Sequence, residues 1–198
     1  MRSTRCFANR ARSNLSKNNS VNILETEHLI LRELDSAVDA EFIFALLNTP
    51  KFIQYIGDRG VHSVNEAAAF IDGRFVKSYR DHGYGLYAVV RKDDQKQAGI
   101  CGFVKRDHFE FPDIGFAFLP EYERLGYGFE SAEAMMVYGR ETLGFATVLA
   151  ITTPDNDASG RLLEKLGFAF TGLIDSPENE KLRLFTSDPL IVSENSSE

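Results

Sequence analysis

Ile114-Gly-Phe-Ala-Phe-Leu-Pro-Glu-Tyr-Glu-Arg-Leu-Gly-Tyr-Gly-Phe129 decides the reading of this chain. The apolar run Ile114–Leu119 reads as a strand, and Pro120 ends it. A turn holding Gly126 and Gly128 follows, and a long helix starts at about Tyr127. Phe129, Ala132, Met136, Gly139 and Leu143 recur at three and four residues, the spacing of one helical face, and Gly144 stops the run. A helix N-terminus exposes unpaired N–H groups and the positive end of the dipole, so this turn suits a phosphate or diphosphate. Glycine there lets a bulky anion approach the backbone. The turn is not a dinucleotide fingerprint, because a third glycine is missing and the strands before it form a meander. Nor is it a Walker loop, because no Lys-Ser/Thr pair follows.

Working outward, Leu86–Val90, Gly99–Val104 and Ile114–Leu119 are three short apolar runs joined by polar turns. Upstream, Ser63 and Glu66 form a capping box before a helix with Ala67, Phe70, Ile71, Phe75 and Tyr79 on one face. Ser36 and Asp39 suggest a similar start for an earlier helix, with Val38, Phe42, Ala45 and Leu46 as its buried stripe and Asn48 and Pro50 as its stop. Asn22–Arg32 reads as one strand. Downstream, Ala146–Thr152 is a strand, Ala158–Leu166 a short helix closed by Gly167, and Phe168–Ile174 with Leu182–Phe185 a hairpin. The expected order is β-α-α-β-β-β-α-β-α-β-β. This is an α+β fold with a mixed, mostly antiparallel central sheet and flanking helices.

At 198 residues, 43% of them hydrophobic and 26% charged, the chain suits one globular domain with a sizeable core. Sixteen Phe and no Trp point to a phenylalanine-packed interior. No run approaches the roughly 20 apolar residues of a membrane span, so no membrane partner is expected. The net charge of −7 argues against a nucleic-acid partner. Cys6 and Cys101 do not make a disulfide framework, and a cytoplasmic location is expected. Cys101, inside an apolar run, reads as a buried strand residue. His28, His62, His82 and His108 lack metal-ligand spacing, so no metal is expected. Residues 1–20 hold five basic and no acidic residues, leaving −12 on the rest of the chain. Three readings of this segment stay open: a disordered basic tail, a transit peptide that would imply organellar import, or a start assigned too far upstream. The folded domain is expected over residues 21–188, with a polar fray at 189–198.

About thirty residues after the glycine turn comes Pro154-Asp-Asn-Asp-Ala-Ser-Gly-Arg-Leu-Leu-Glu-Lys-Leu-Gly-Phe168. Taken singly, Asn156, Asp157 and Ser159 are ordinary helix-start residues. Taken in order after the turn, the two segments resemble the GNAT family of acyl-CoA-dependent N-acyltransferases. The branch they resemble most is the ribosomal-protein N-terminal alanine acetyltransferases (RimJ/RimL-like). The family motif Q/R-x-x-G-x-G/A falls on Glu123–Gly128, and its Asn-x-x-Ser…G-F element on Asn156, Ser159, Gly167 and Phe168.

The resemblance implies acetyl-CoA as co-substrate and an amine acceptor, either a peptide N-terminus or a small molecule. It implies that Arg124, Leu125, Gly126, Tyr127, Gly128 and Phe129 hold the diphosphate, with Phe118 along the pantetheine arm and Asn156 orienting either that arm or, as a catalytic residue, the leaving sulfur. Tyr122 and Tyr127 either line that groove or simply pack. Ser159 is implied as the proton donor to the departing thiolate, against a plain helix-cap role. Asp113 is the candidate general base, against a solvated turn carboxylate. Two positions depart from the family pattern. Glu123 stands where Gln or Arg is usual, with Arg124 as the expected compensation, and Leu163 stands where many members carry a tyrosine acid. These departures keep a second reading open, a non-catalytic acyl-CoA-binding or sensor module of the same fold. The acceptor and the oligomeric state, including a homodimer, are not legible.

Overall fold

The computed structural model describes residues 21–177 and 180–188. The basic segment 1–20 and the end 189–198 lie outside the described residues. The elements run β1 (Asn22–Glu25), β2 (Leu29–Arg32), α1 (Ser36–Leu47), α2 (Pro50–Tyr55), α3 (Val64–Phe70), a π-helical stretch Ile71–Val76, α4 (Lys77–His82), β3 (Leu86–Arg91), β4 (Gln97–Val104), β5 (Asp113–Phe118), a 3₁₀ turn Pro120–Tyr122, α5 (Tyr127–Glu141), β6 (Leu149–Thr152), α6 (Asp157–Lys165), β7 (Ala169–Asp175) and β8 (Lys181–Thr186). The eight strands form one sheet in the order β1-β2-β3-β4-β5-β6-β8-β7. Every neighbouring pair is antiparallel except β5 with β6. The α+β architecture read from the sequence is the one observed.

Both sheet faces are buried, so the central strands read as continuous apolar runs rather than as alternation. Leu29, Leu31, Tyr87, Val89, Cys101 and Phe103 face one core, with Ala132 and Met135 of α5 and Leu163 of α6. Ala88, Val90 and Ile100 face the other, with Ile43 and Leu46 of α1, Phe52 of α2 and Ala67 of α3.

Four local expectations are corrected. Asn22–Arg32 is a hairpin, β1 with β2, because Thr26 turns the chain: its N–H bonds the Leu29 carbonyl at 2.9 Å and its Oγ1 accepts from the Leu29 N–H at 3.0 Å. Asp35, not Ser36, caps α1, accepting from the Ala37 N–H at 2.9 Å. The buried stripe of α1 is Asp39, Ala40, Ile43, Leu46 and Leu47, while Val38 is exposed. Asp39 turns inward because Arg32 meets it with two bonds of 2.7 Å, the Asp35 N–H with one of 2.9 Å and Gln97 with another of 2.9 Å. Pro50 starts a helix rather than stopping one. It is the first residue of α2, where its fixed φ and missing N–H cost nothing.

The helix opened by Ser63 is capped as expected, Ser63 Oγ accepting from the Glu66 N–H at 3.2 Å. It runs on through the π stretch into α4. Ala67, Ile71, Phe75 and Tyr79 repeat every four residues, longer than the 3.6 of an α-helix. The wider π turn absorbs that difference and keeps the four on one face.

Candidate active site

Strands β5 and β6 pair at one position, Asp113 with Leu149, where the Leu149 N–H bonds the Pro112 carbonyl at 2.9 Å. Beyond it no register pair joins them among the described residues. β5 runs five residues further to Phe118 and β6 three further to Thr152, so on this side the backbone of β5 has no strand partner. The sheet is therefore zipped at one end of this pair and open at the other.

The open end is lined by the glycine turn. Glu123 is extended, Arg124 takes φ +61°, and Gly126 takes φ +90° as the residue before α5. No side chain caps α5. Its first internal bond is Glu130 N–H to the Gly126 carbonyl, so the amides of Tyr127, Gly128 and Phe129 have no partner within the helix. The two glycines serve different ends. A Cβ at Gly126 would meet nothing within 4 Å, so that position is glycine for its backbone angle. A Cβ at Gly128 would lie 3.1 Å from Leu162 Cδ1 and 3.5 Å from the Phe118 ring, so at that position the issue is close packing rather than backbone angle. Gly128 thus brings α5, the end of β5 and α6 together.

Asn156 opens α6, its Oδ1 accepting from the Ser159 N–H at 3.1 Å. The helix-cap role is therefore filled by Asn156, and Ser159 lends that cap only its amide. Arg183 of β8 holds this corner. It donates to the Asn156 carbonyl at 2.7 Å and to Thr152 Oγ1 at 3.2 Å, and it pairs with Asp157 at 3.3 Å. Arg183 carries no motif in the sequence, and its one local signal is a charge set between Leu182 and Leu184 in an apolar strand.

Phe118, Gly128, Asn156 and Ser159 thus gather on the elements lining the opening, with Arg124, Leu125, Gly126, Tyr127 and Phe129 on the turn. Asp113 does not join them. It sits at the zipped end, about 16 Å along the strand from Phe118 at 3.3 Å per residue. It is 2% exposed and is bound by Arg106 Nε at 2.9 Å. Burial raises its pKa, and Arg106 offsets only part of that. At this burial it is not a solvated turn carboxylate. Leu163 is 1% exposed and packed in the core, so that position does not face the opening.

Other contacts secure the turn. Tyr122 and Tyr127 face the Arg91 guanidinium, whose carbon lies 5.2 and 5.8 Å from their ring centres. Lys51 of α2 pairs with Glu123, so the partner of that carboxylate is Lys51 rather than Arg124. Glu130, in the first turn of α5, accepts from Thr26 Oγ1 at 2.5 Å and from the His28 N–H at 2.8 Å, with the His28 ring at 3.0 Å. Burial pushes its pKa up, but these bonds hold it below the ordinary value. Burial also pushes the Cys101 thiol up to about 12, so it stays protonated and packs as an apolar group. Among the described residues no group of three or more His, Cys, Asp or Glu is placed to hold a metal ion. No helix there is long and apolar enough to cross a membrane.

Residues 28–169 match the profile of the Acetyltransferase (GNAT) domain, well over half of the chain. The chain belongs to the GNAT acetyltransferases. An uncharacterized N-acetyltransferase, YoaA of Bacillus subtilis, is 32% identical over 154 residues, covering 77% of this chain and 85% of its own. Two solved structures share the fold. The ribosomal L7/L12 α-N-protein acetyltransferase RimL has a TM-score of 0.73 at 14% identity, covering 88% of this chain and 97% of its own. The microcin C7 self-immunity acetyltransferase MccE, solved with acetyl-CoA and AMP, has a TM-score of 0.67 at 15% identity, covering 81% and 92%. For this GNAT enzyme the opening between β5 and β6 is the candidate active site.

Proposed function

We propose that this GNAT enzyme moves the acetyl group of acetyl-CoA to a primary amine by direct attack in a ternary complex. The observation that carries this reading is the parting of β5 from β6 after Asp113, with the uncapped start of α5 set beside the gap. Acetyl-CoA supplies the acetyl group as a thioester. The backbone N–H groups of Arg124–Phe129 bind the diphosphate, aided by the α5 dipole. The unpaired edge of β5 near Phe118 takes the pantetheine arm as an added strand, and an N–H there polarises the thioester carbonyl. Asn156 orients the arm through its amide, since its Oδ1 is held by the α6 cap.

As the amine attacks the thioester carbonyl and the C–S bond breaks, Ser159 passes its hydroxyl proton to the departing thiolate and regains one, through water, from the ammonium formed on the amine. With the cap already supplied by Asn156, removing this hydroxyl leaves the helix start intact. Asp113 is left out, because its ion pair and its place at the zipped end keep it from the reacting atoms. The acceptor is a protein N-terminus or a small amine, and the −12 charge outside residues 1–20 favours a cationic one through long-range attraction.

The test is CoA thiol release from acetyl-CoA with a panel of N-terminal peptides, polyamines and aminoglycosides. Turnover with at least one amine is expected, and acetyl-CoA binding without release across the panel would instead favour the sensor reading. Ser159→Ala should lower kcat about ten- to a hundredfold, the low end for a general acid, with the acetyl-CoA dissociation constant nearly unchanged. Turnover at the parent rate would show that water supplies the proton.

A further inference from the structure

Helix α2 has only six residues, yet it reaches both sides of the opening. Lys51 pairs with Glu123, the residue leading into the glycine turn, and Gln54 Nε2 donates to Asp155 Oδ2 at 3.3 Å, just ahead of α6. Thr49 caps the helix from the Phe52 N–H at 3.3 Å, and Phe52 anchors it in the core. The anchored side fixes where Lys51 and Gln54 stand. Glu123 presents a problem that the fold alone does not solve: a carboxylate beside amides that receive a dianionic diphosphate. The Glu123 side chain is 25% exposed and that of Lys51 is 56% exposed. An ion pair this open adds little to folding stability, so its consequence lies in the local field. Lys51 cancels the Glu123 charge where the chain enters the turn.

We propose that Lys51 is a further acyl-CoA-binding residue, a cation carried in from α2 that offsets Glu123 and is shared with the diphosphate once it binds. The proposal rests on reading Glu123–Phe129 as the acyl-CoA cradle. A lysine suits the task, being a compact charge on a flexible stem that can turn from a carboxylate to a phosphate without moving the helix. In the free enzyme Lys51 is held by Glu123; in the bound enzyme the ammonium sits between carboxylate and phosphate. Glu123 then works against affinity, both by repelling the anion and by competing for Lys51.

This assigns opposite signs to two substitutions that a purely structural tie would treat alike. Acetyl-CoA binding to the full chain is measured by calorimetry for the parent, Lys51→Ala, Glu123→Gln and the double variant, at low and at high salt. Lys51→Ala should weaken binding about tenfold at low salt, where charges are little screened. Glu123→Gln should tighten binding a few fold, and the double variant should return to within about threefold of the parent. The Lys51→Ala defect should shrink as salt rises, while melting temperatures stay close together. If Glu123→Gln weakens binding, or Lys51→Ala leaves it unchanged, the assignment of Lys51 is wrong while the cradle stands. If the parent itself does not bind acetyl-CoA, the cradle reading and the Lys51 assignment fall together.

Discussion

Gly126→Ala should impair the enzyme and Gly128→Ala should be tolerated, and the difference follows from what a Cβ meets at each site. At Gly126 nothing lies within 4 Å, but φ is +90°. An L-residue held there pays about 1–2 kcal/mol of conformational strain. At roughly 2–4 °C per kcal/mol for a domain of this size, the melting temperature falls by about 2–8 °C. The turn can escape that strain by returning to negative φ, and then the amides of Tyr127 and Gly128 rotate away from the opening. Losing one charge-assisted hydrogen bond of about 1.5–3 kcal/mol weakens acetyl-CoA binding at least about tenfold. Asn tolerates the left-handed region, so Gly126→Asn should recover most of both losses. At Gly128 the new methyl meets Leu162 Cδ1 at 3.1 Å and the Phe118 ring at 3.5 Å. The Leu162 methyl ends a flexible side chain and can give by a few tenths of an ångström. Helix propensity favours Ala over Gly by up to about 1 kcal/mol, so stability should change by less than about 1 kcal/mol. The assays are calorimetric titration with acetyl-CoA and thermal melts on all three variants. Parent-like binding by Gly126→Ala, or a larger binding loss for Gly128→Ala than for Gly126→Ala, would refute the assignment of the two glycines.

Asp39→Ala should cost about 3–5 kcal/mol, because it removes the carboxylate that neutralises the buried Arg32 guanidinium and accepts from it, from the Asp35 N–H and from the Gln97 amide. Burial opposes the Asp39 charge, but the Arg32 bonds hold its pKa below the ordinary value. Its contribution is therefore present above the unfolded carboxylate pKa and is lost as pH falls through the folded one, which urea titrations of parent and Asp39→Asn across pH 2–6 will show. Asp113 has the opposite sign: its raised pKa makes its contribution present below the unfolded value and lost as pH rises through the folded one. Asp113→Asn should thus gain stability relative to the parent between acid and neutral pH. It should leave the pH profile of kcat unmoved, and a drop of more than about tenfold in kcat would return Asp113 to the chemistry. Cys101, with its thiol pushed up to about 12, should resist alkylation at pH 8 in the folded enzyme and react on unfolding.

What the sequence reveals and what it hides divide along one physical line. The start of α5 and the turn with Gly126 and Gly128 are legible because each is dictated by neighbours a few residues away. The α5 stripe is read only in part: Ala132 and Gly139 are buried as expected, but Ser131 and Met135 are buried with them while Phe129, Met136 and Leu143 are only partly covered. Helix α2 is hidden because proline after a polar pair reads as a stop, and nothing local says that Pro50 is a first helical residue rather than a terminator. The stripe of α1 is misread because Asp39 is buried, and hydrophobic periodicity cannot anticipate a carboxylate that folds inward to meet Arg32. The Thr26 turn is hidden because Glu25-Thr26-Glu27-His28 interrupts an otherwise plausible strand without a glycine or proline. At the site, Lys51 and Glu123 are 72 residues apart in the chain, Arg183 and Asn156 are 27 apart, and His28 and Glu130 are 102 apart. Such pairs are set by the order of strands in the sheet, which periodicity does not report.

The strand order also explains why the buried ion pair and the proposed active site sit at opposite ends of one strand pair. At Asp113 the sheet is closed: the Leu149 amide is bonded, Arg106 meets the carboxylate, and Ile114 and Val148 enter the core. A buried charge there has a partner, and changing it alters folding. Toward Phe118 and Thr152 the strands part, and unused capacity accumulates: a strand edge without a partner, an α5 start without a cap, a serine relieved of capping by Asn156. Unpaired backbone groups are tolerated where water or a ligand can reach them. Such an opening keeps its shape only if its rim is tied from outside, and the ties are those sequence reading does not reveal: Glu130 to the Thr26–His28 turn, Arg183 to the start of α6, Lys51 and Gln54 from α2. Substitutions in these ties should therefore shift acetyl-CoA affinity more than they shift the melting temperature, the reverse of Asp39 and Asp113. Arg183→Lys discriminates between the two classes: a lysine keeps the charge but lacks the fork that spans the Asn156 carbonyl, Thr152 and Asp157. It should weaken acetyl-CoA binding several fold, about 1 kcal/mol, while the melting temperature moves by only a few degrees. A large fall in melting temperature with affinity intact would place Arg183 among the residues that hold the fold.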